Sequence, residues 1–150
     1  MTVTLLRAKL HRIRVTEACL DYMGSLTVDI DLMEAVGMFA HEKILCANVE
    51  NGERFETYAI PGPRGSGVCC LNGAAAHKGK VGDRLIVMAF GQFSPEEAAL
   101  HQPKVLFLDE GNRPRAWPAG AASRAKVSAT RSRASPPCRR RVARRACSAP

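Results

Sequence analysis

The residues that could do chemistry are few, and the serine in Tyr22-Met23-Gly24-Ser25-Leu26 is the most notable of them. A serine hydroxyl becomes a nucleophile when neighbouring groups activate it. The sequence contains no Ser-His-Asp pattern, Walker loop, dinucleotide-binding fingerprint or zincin motif that would indicate such a setting. A second Gly-Ser dipeptide occurs at Gly65-Ser66. The dipeptide alone therefore predicts only a loop or the edge of a strand.

Cysteine and histidine spacing gives no sign of a metal site. The six cysteines stand at positions 19, 46, 69, 70, 138 and 147, with no Cys-x-x-Cys pair. The four histidines are scattered at positions 11, 41, 77 and 101. We expect free thiols, with those at 46, 69 and 70 in apolar strand-like segments. No apolar stretch approaches the length of a membrane span, and no signal peptide is apparent, so the default expectation is a cytoplasmic protein with no membrane partner.

Charge divides the chain into two parts. The net charge of +8 combines 22 basic with 14 acidic residues, but all 14 acidic residues and only 11 basic ones precede residue 113. Residues 1–112 thus carry −3 and residues 113–150 carry +11. We predict one globular domain over 1–112, a size typical of a single domain. The Arg/Ala/Ser/Pro-rich segment 113–150 cannot bury enough apolar surface to fold, and we predict that it is disordered.

Short strands separated by turns are predicted throughout residues 1–112. Apolar and polar residues alternate along these segments, as expected for strands with one buried face. The alternation slips near Arg12, which indicates a bulge. Asn51-Gly52 is typical of a tight hairpin. The predicted strands are 7–15, 25–32, 43–49, 54–60, 68–71, 84–90 and 104–108. Short helices are predicted at 31–36, which overlaps the end of the second strand, and at 95–100, with a helical turn at 74–77. This pattern favours a small barrel or sandwich.

Four segments together resemble the pyruvoyl-dependent aspartate decarboxylase family of bacteria. They are Lys9-Leu10-His11-Arg12, Tyr22-Met23-Gly24-Ser25, the segment 51–60 (NGERFETYAI) and the segment 71–77 (LNGAAAH). The resemblance runs from about Leu5 to Asp109 in the order and spacing of the family. It implies a six-stranded double-psi β-barrel, a homotetramer with active sites between subunits, and conversion of L-aspartate to β-alanine and CO₂ for pantothenate biosynthesis.

The resemblance also implies that the chain cuts itself. Ser25 would attack the carbonyl of Gly24, and elimination and hydrolysis would then leave a β chain of residues 1–24 and an α chain of 25–150. Ser25 would become a covalently bound pyruvoyl group, which forms a Schiff base with the substrate. In the family, the threonine matching Thr57 supports this step through the Gly24 carbonyl. The resemblance implies neither a metal nor pyridoxal phosphate, and it leaves open whether a helper protein assists cleavage.

Further site residues follow from the same resemblance. Lys9 and Arg54 match the cations that bind the two carboxylates of aspartate, and Tyr58 matches the proton donor to the carbon that loses CO₂. Thr57 and Asn72 match substrate contacts, and the backbone of Gly73, Ala74 and Ala75 lines the pocket. Taken without the resemblance, each of these is an ordinary strand or turn residue.

Two alternatives remain open at the level of sequence. The basic segment 113–150 suggests a small barrel that binds nucleic acid, although aromatic residues, which stack on bases, make up only 5% of the chain and disfavour it. The segment has no counterpart in the family, and it is either a lineage-specific extension or the product of an altered reading frame. A processed enzyme for another amino acid is disfavoured because Lys9 and Arg54 suit a dicarboxylate.

Overall fold

Nine β-strands and two short α-helices form residues 1–116, the part of the chain that the computed structural model describes. The strands are β1 (Val3–Arg14), β2 (Glu17–Cys19), β3 (Ser25–Asp29), β4 (Lys43–Asn48), β5 (Arg54–Gly62), β6 (Cys69–Asn72), β7 (Arg84–Phe93), β8 (Lys104–Leu108) and β9 (Pro114–Arg115). The helices are α1 (Ile30–Val36) and α2 (Pro95–Leu100), and Gly73–Lys78 forms a 3₁₀ helix. The mainly β prediction is confirmed.

The strands form one mixed sheet in the order β2-β6-β3-β5-β4-β7-β1-β8-β9. Three pairs are parallel: β1 with β8, β2 with β6, and β3 with β5. The two ends of the sheet approach each other at Asn112, whose side-chain Nδ2 donates to the carbonyls of Arg14 and Gly67 at 2.8 and 2.7 Å. This arrangement is consistent with a small β-barrel. The strand count exceeds the expected six because short segments such as β2 and β9 also pair at the sheet edges.

Alternation along the strands builds the core. Leu10, Leu26, Ile44 and Val87 each have an exposed fraction of at most 1% and belong to one apolar cluster. The predicted bulge in β1 is confirmed, since the register with β7 shifts between His11 and Ile13 and the intervening Arg12 has φ +66°. The bulge restores the inward orientation of the apolar residues that follow it.

Asp29 anchors both α1 and a neighbouring loop. Its carboxylate caps the helix by accepting from the backbone N–H of Asp31, and it accepts from Gly65 and Gly67 at 3.1 and 2.7 Å. Burial alone would raise the pKa of Asp29, but these three backbone hydrogen bonds outweigh burial and lower it. The second Gly-Ser dipeptide thus lies in a loop with a structural role, as expected from the dipeptide alone.

The predicted boundary at residue 112 falls within an ordered hairpin. Pro114 pairs with Leu108 in β9, so ordered structure continues past that boundary to Arg115. The remainder of the predicted disordered segment lies outside the described residues. Within the part of the chain that the structure describes, no helix is long and apolar enough to cross a membrane.

Candidate active site

The backbone at Gly24-Ser25 is held in an unusual conformation. Both residues have positive φ angles, +70° at Gly24 and +91° at Ser25. Such a conformation costs a non-glycine residue about 1–2 kcal/mol, so Ser25 is strained. The N–H of Gly24 donates to the carbonyl of Tyr22 at 2.8 Å, which makes the turn into β3 tight. The chain is therefore sharply bent at the Gly24-Ser25 peptide bond.

The Ser25 hydroxyl is buried against β5, where several polar atoms surround it. Its Oγ lies 2.8 Å from Thr57 Oγ1 and accepts from the Tyr58 N–H at 3.0 Å. It also hydrogen-bonds the Tyr58 carbonyl oxygen. The parallel pairing of Leu26 with Ala59 produces this arrangement because it places Ser25 beside Tyr58. Thr57 thus contacts the Ser25 hydroxyl directly.

The Tyr58 phenol lies directly beside Gly24. A Cβ atom built on Gly24 would approach the phenol oxygen to 2.6 Å, a distance that real Cβ contacts do not reach. Only glycine fits this position, both for its φ angle and for its contact with Tyr58. Tyr58 is 40% exposed, and its ring centroid is 6.2 Å from that of His41. The phenol is therefore adjacent to the strained peptide bond and open to solvent on its other side.

Asn72 lies directly opposite Ser25 in the antiparallel pair of β3 and β6. Its side chain is buried, its Nδ2 donates to Thr27 Oγ1 at 2.8 Å, and its Oδ1 accepts from the Cys70 thiol at 3.1 Å. Thr27 and Cys70 were not predicted as site residues. The signal that could have identified them is strand alternation, since each is two positions from a predicted site residue and so shares its face.

The 3₁₀ helix after Asn72 packs against β3 and β5 beside the bend. Gly73 has φ +57°, and a Cβ atom on it would lie 3.0 Å from the Tyr22 carbonyl and 3.4 Å from the Gly24 nitrogen. Ala75 is buried, whereas Ala74 is exposed. These small residues therefore allow the bend at Gly24 to come close to the turn that follows β6.

Lys9 and Arg54 are not brought to Ser25 within one chain. Arg54 is exposed four residues before Tyr58 in β5, which corresponds to about 13 Å along a strand. Lys9 lies in β1. In the sheet, β5, β4 and β7 lie between β1 and β3, the strand that begins at Ser25. The flanking residues of Lys9 are fully buried, so its side chain faces outward. Among residues 1–116, neither cation forms an ion pair or hydrogen bond with Ser25, Tyr58 or Asn72.

The four cysteines within residues 1–116 do not form a metal site. The described cysteines at 19, 46, 69 and 70 are free, and residues 1–116 contain no group of three or more His, Cys, Asp or Glu side chains that could hold a metal ion. Burial raises the pKa of Cys46 to about 12, so this thiol stays protonated. The arrangement at Ser25 instead combines a buried hydroxyl, a strained peptide bond and a phenol.

Comparison with known proteins agrees with this arrangement. The family model described as aspartate decarboxylase matches residues 1–115. A relative from Bacillus licheniformis, named aspartate 1-decarboxylase, is 59% identical over 109 residues, which cover 73% of this chain and 86% of the relative. A protein of the same name from Shouchella clausii is 56% identical over 73% of this chain and 87% of the relative. Another, from Ruminiclostridium cellulolyticum, is 51% identical over 75% of this chain and 88% of the relative.

Proposed function

Since the chain belongs to the aspartate decarboxylase family and is a carboxy-lyase that converts L-aspartate to β-alanine and CO₂, we propose that it first cuts itself between Gly24 and Ser25. In this proposal Ser25 becomes the pyruvoyl group on which the reaction depends. β-Alanine is a precursor of pantothenate, so the enzyme serves that biosynthesis. The observation that carries the proposal is the strained Gly24-Ser25 bend with the Ser25 hydroxyl held by Thr57 and Tyr58.

The cleavage step balances with the atoms at hand and one water molecule. Ser25 Oγ forms a bond to the carbonyl carbon of Gly24, and the Gly24–Ser25 C–N bond breaks, which converts an amide into an ester. Loss of the Ser25 α-proton then expels the Gly24 carboxylate, which keeps the former Ser25 oxygen. A dehydroalanine remains. Water adds to the carbon that bears its nitrogen, and ammonia leaves. In the first step the hydroxyl proton ends on the Ser25 nitrogen, which becomes a free amine, and Thr57 relays it, because its Oγ1 lies 2.8 Å from Ser25 Oγ.

The residues around Ser25 fit the group that this cleavage would produce. The group is built from the carbon atoms of Ser25, so it needs no volume beyond what the buried side chain already occupies. When present, a ketone of this kind supplies a sink for the electron pair left by departing CO₂. The Tyr58 phenol holds a proton beside this position and can deliver it to the substrate carbon. Asn72 offers its side-chain amide to the bound substrate from the opposite strand.

A second copy of the chain completes the site in this proposal. Lys9 and Arg54 suit the two carboxylates of aspartate, but one chain does not bring both to Ser25. The surface beside the bend is also apolar and exposed, with exposed fractions of 56% at Leu20 and 92% at Met23. A neighbouring subunit would cover these side chains and supply the cations, as expected of a homotetramer with active sites between subunits. The free thiols fit a cytoplasmic location.

Intact-mass measurement of the purified protein tests the proposal. We expect two pieces that correspond to residues 1–24 and 25–150, with the second carrying a pyruvoyl end. Ser25→Ala removes the nucleophile and should leave one intact chain. Thr57→Val keeps the shape of the side chain but removes the hydroxyl, so it should slow cleavage about tenfold by removing one hydrogen bond. An unprocessed wild-type chain that stays inert toward aspartate after prolonged warming would overturn the proposal.

A further inference from the structure

The amide of Asn72 is held from both sides by residues of its own face of the sheet. Cys70 Sγ donates to Asn72 Oδ1 at 3.1 Å, and Asn72 Nδ2 donates to Thr27 Oγ1 at 2.8 Å. We infer that Cys70 is a positioning residue, which sets the orientation of the Asn72 amide toward the substrate. This inference rests on the proposed function, in which Asn72 contacts bound aspartate.

The thiol and the Thr27 hydroxyl hold the two ends of the Asn72 amide. In the observed orientation the Cys70 S–H, a weak donor, donates to Oδ1, and the Thr27 hydroxyl accepts from Nδ2. Loss of the thiol would leave Oδ1 without this donor and the amide held from one side only. With Oδ1 facing Cys70, Nδ2 must face Thr27, as observed.

The environment of Cys70 keeps its proton in place. Burial raises the pKa of the Cys70 thiol, and the nearby Glu17 carboxylate and Cys19 thiol raise it further. Cys70 therefore remains a neutral donor at physiological pH. The side chain is also almost fully buried, so water does not readily replace it as a partner of Asn72.

This arrangement leaves half of the Asn72 hydrogen-bonding capacity free for the reaction. A side-chain amide has two N–H donors and two acceptor lone pairs, and Thr27 and Cys70 use one of each. Asn72 pairs directly with Ser25 across the two strands, and in this inference its second N–H serves the substrate bound there. A rotated amide would present an oxygen lone pair there instead, which would repel a substrate carboxylate.

Cys69 provides a matched control. It is a buried free thiol adjacent in sequence, but strand alternation places it on the opposite face of β6, in the apolar core. Cys69→Ala therefore removes a buried sulfur without touching Asn72. Cys70→Ser retains a donor at the same position, whereas Cys70→Ala removes it.

The experiment measures aspartate turnover in these variants and the side-chain amide resonances of Asn72 by NMR. We expect Cys70→Ala to raise KM about fivefold, the effect of one lost hydrogen bond, while kcat changes less. Cys70→Ser should restore KM, and Cys69→Ala should lower thermal stability without changing KM. In an Asn72→Ala background, Cys70→Ala should have no further effect on KM, because its effect passes through Asn72.

The NMR measurement decides the inference independently of catalysis. The Asn72 side-chain amide pair should stay sharp in Cys70→Ser and Cys69→Ala, but broaden in Cys70→Ala, where the amide is held from one side only. A wild-type chain that neither cleaves nor consumes aspartate would refute the proposed function, yet these resonances would still report on Cys70. Unchanged Asn72 resonances in Cys70→Ala, or an equal effect on KM with and without Asn72, would overturn the inference.

Discussion

Substitution of Gly24 by alanine is predicted to slow cleavage of the chain strongly, for two separable reasons. The first is conformational, because φ is +70° at this position and the left-handed conformation costs alanine about 1–2 kcal/mol. The second is steric, because the new Cβ would lie 2.6 Å from the Tyr58 phenol oxygen. Overpacking of this kind typically costs about 1–3 kcal/mol. Together the costs predict cleavage slower by at least about 30-fold.

A second substitution separates the two contributions. The phenol oxygen is the only atom within 3.0 Å of the added Cβ, and the next atom, Tyr58 Cζ, lies at an ordinary 3.4 Å. Tyr58→Phe therefore removes the clash and leaves the conformational cost. In that background Gly24→Ala should slow cleavage only about 5- to 30-fold. The assay is the rate at which freshly purified chain separates into its two pieces, followed by intact mass, with Tyr58→Phe alone as the reference.

Gly52 offers a matched control elsewhere in the fold. It has φ +77° in the β4–β5 hairpin, and a Cβ atom there would meet no atom within 4 Å. Gly52→Ala should therefore lower the free energy of unfolding by about 1–2 kcal/mol and leave the rate of cleavage unchanged. The reasoning is refuted if Gly24→Ala cleaves as fast as the wild type, or if Tyr58→Phe gives it no relief.

Three further outcomes are expected. Asn112→Ala should lower the free energy of unfolding by about 3 kcal/mol or more, measured by urea denaturation, because buried partners on Arg14 and Gly67 lose their hydrogen bonds. Folding lowers the pKa of Asp29, so its carboxylate stabilises the fold above the ordinary Asp pKa of about 4, and this stabilisation is lost as the pH falls below that value. Asp29→Asn should therefore make the free energy of unfolding fall less steeply as the pH is lowered below about 4. Deletion of residues 117–150 should leave aspartate turnover intact while abolishing any binding to DNA, and loss of turnover would contradict this division.

Local structure could be predicted well from the sequence because its signals are local. Alternation located most strands, the phase slip located the bulge at Arg12, and Asn51-Gly52 located the hairpin. Gly37 ends α1 in the left-handed conformation, as its position after an apolar run indicates. The strand β2 was missed because all three of its residues are exposed, so no apolar period marks it.

Tertiary placement could not be predicted in the same way. Strand alternation put Arg54 and Tyr58 on one face of β5 and Thr57 on the other, and the burial pattern confirms this. Nothing in the periodicity, however, specifies that β3 runs parallel to β5, which is what brings Thr57 to Ser25. The hydrogen bonds between Cys70, Asn72 and Thr27 likewise depend on the register of two strands more than 40 residues apart in the chain.

The sheet topology explains how the chain can tolerate the cut that we propose. A break between Gly24 and Ser25 leaves β1 and β2 on one piece and all later strands on the other. Yet β1 lies between β7 and β8 in the sheet, and β2 pairs with β6, so hydrogen bonds to strands of the second piece hold the first in place. Under the proposal, cleavage would release the strain at Ser25 and free the two new ends beside Tyr58. The fold therefore holds a strained conformation at a bond whose loss would leave the pairing of the strands intact.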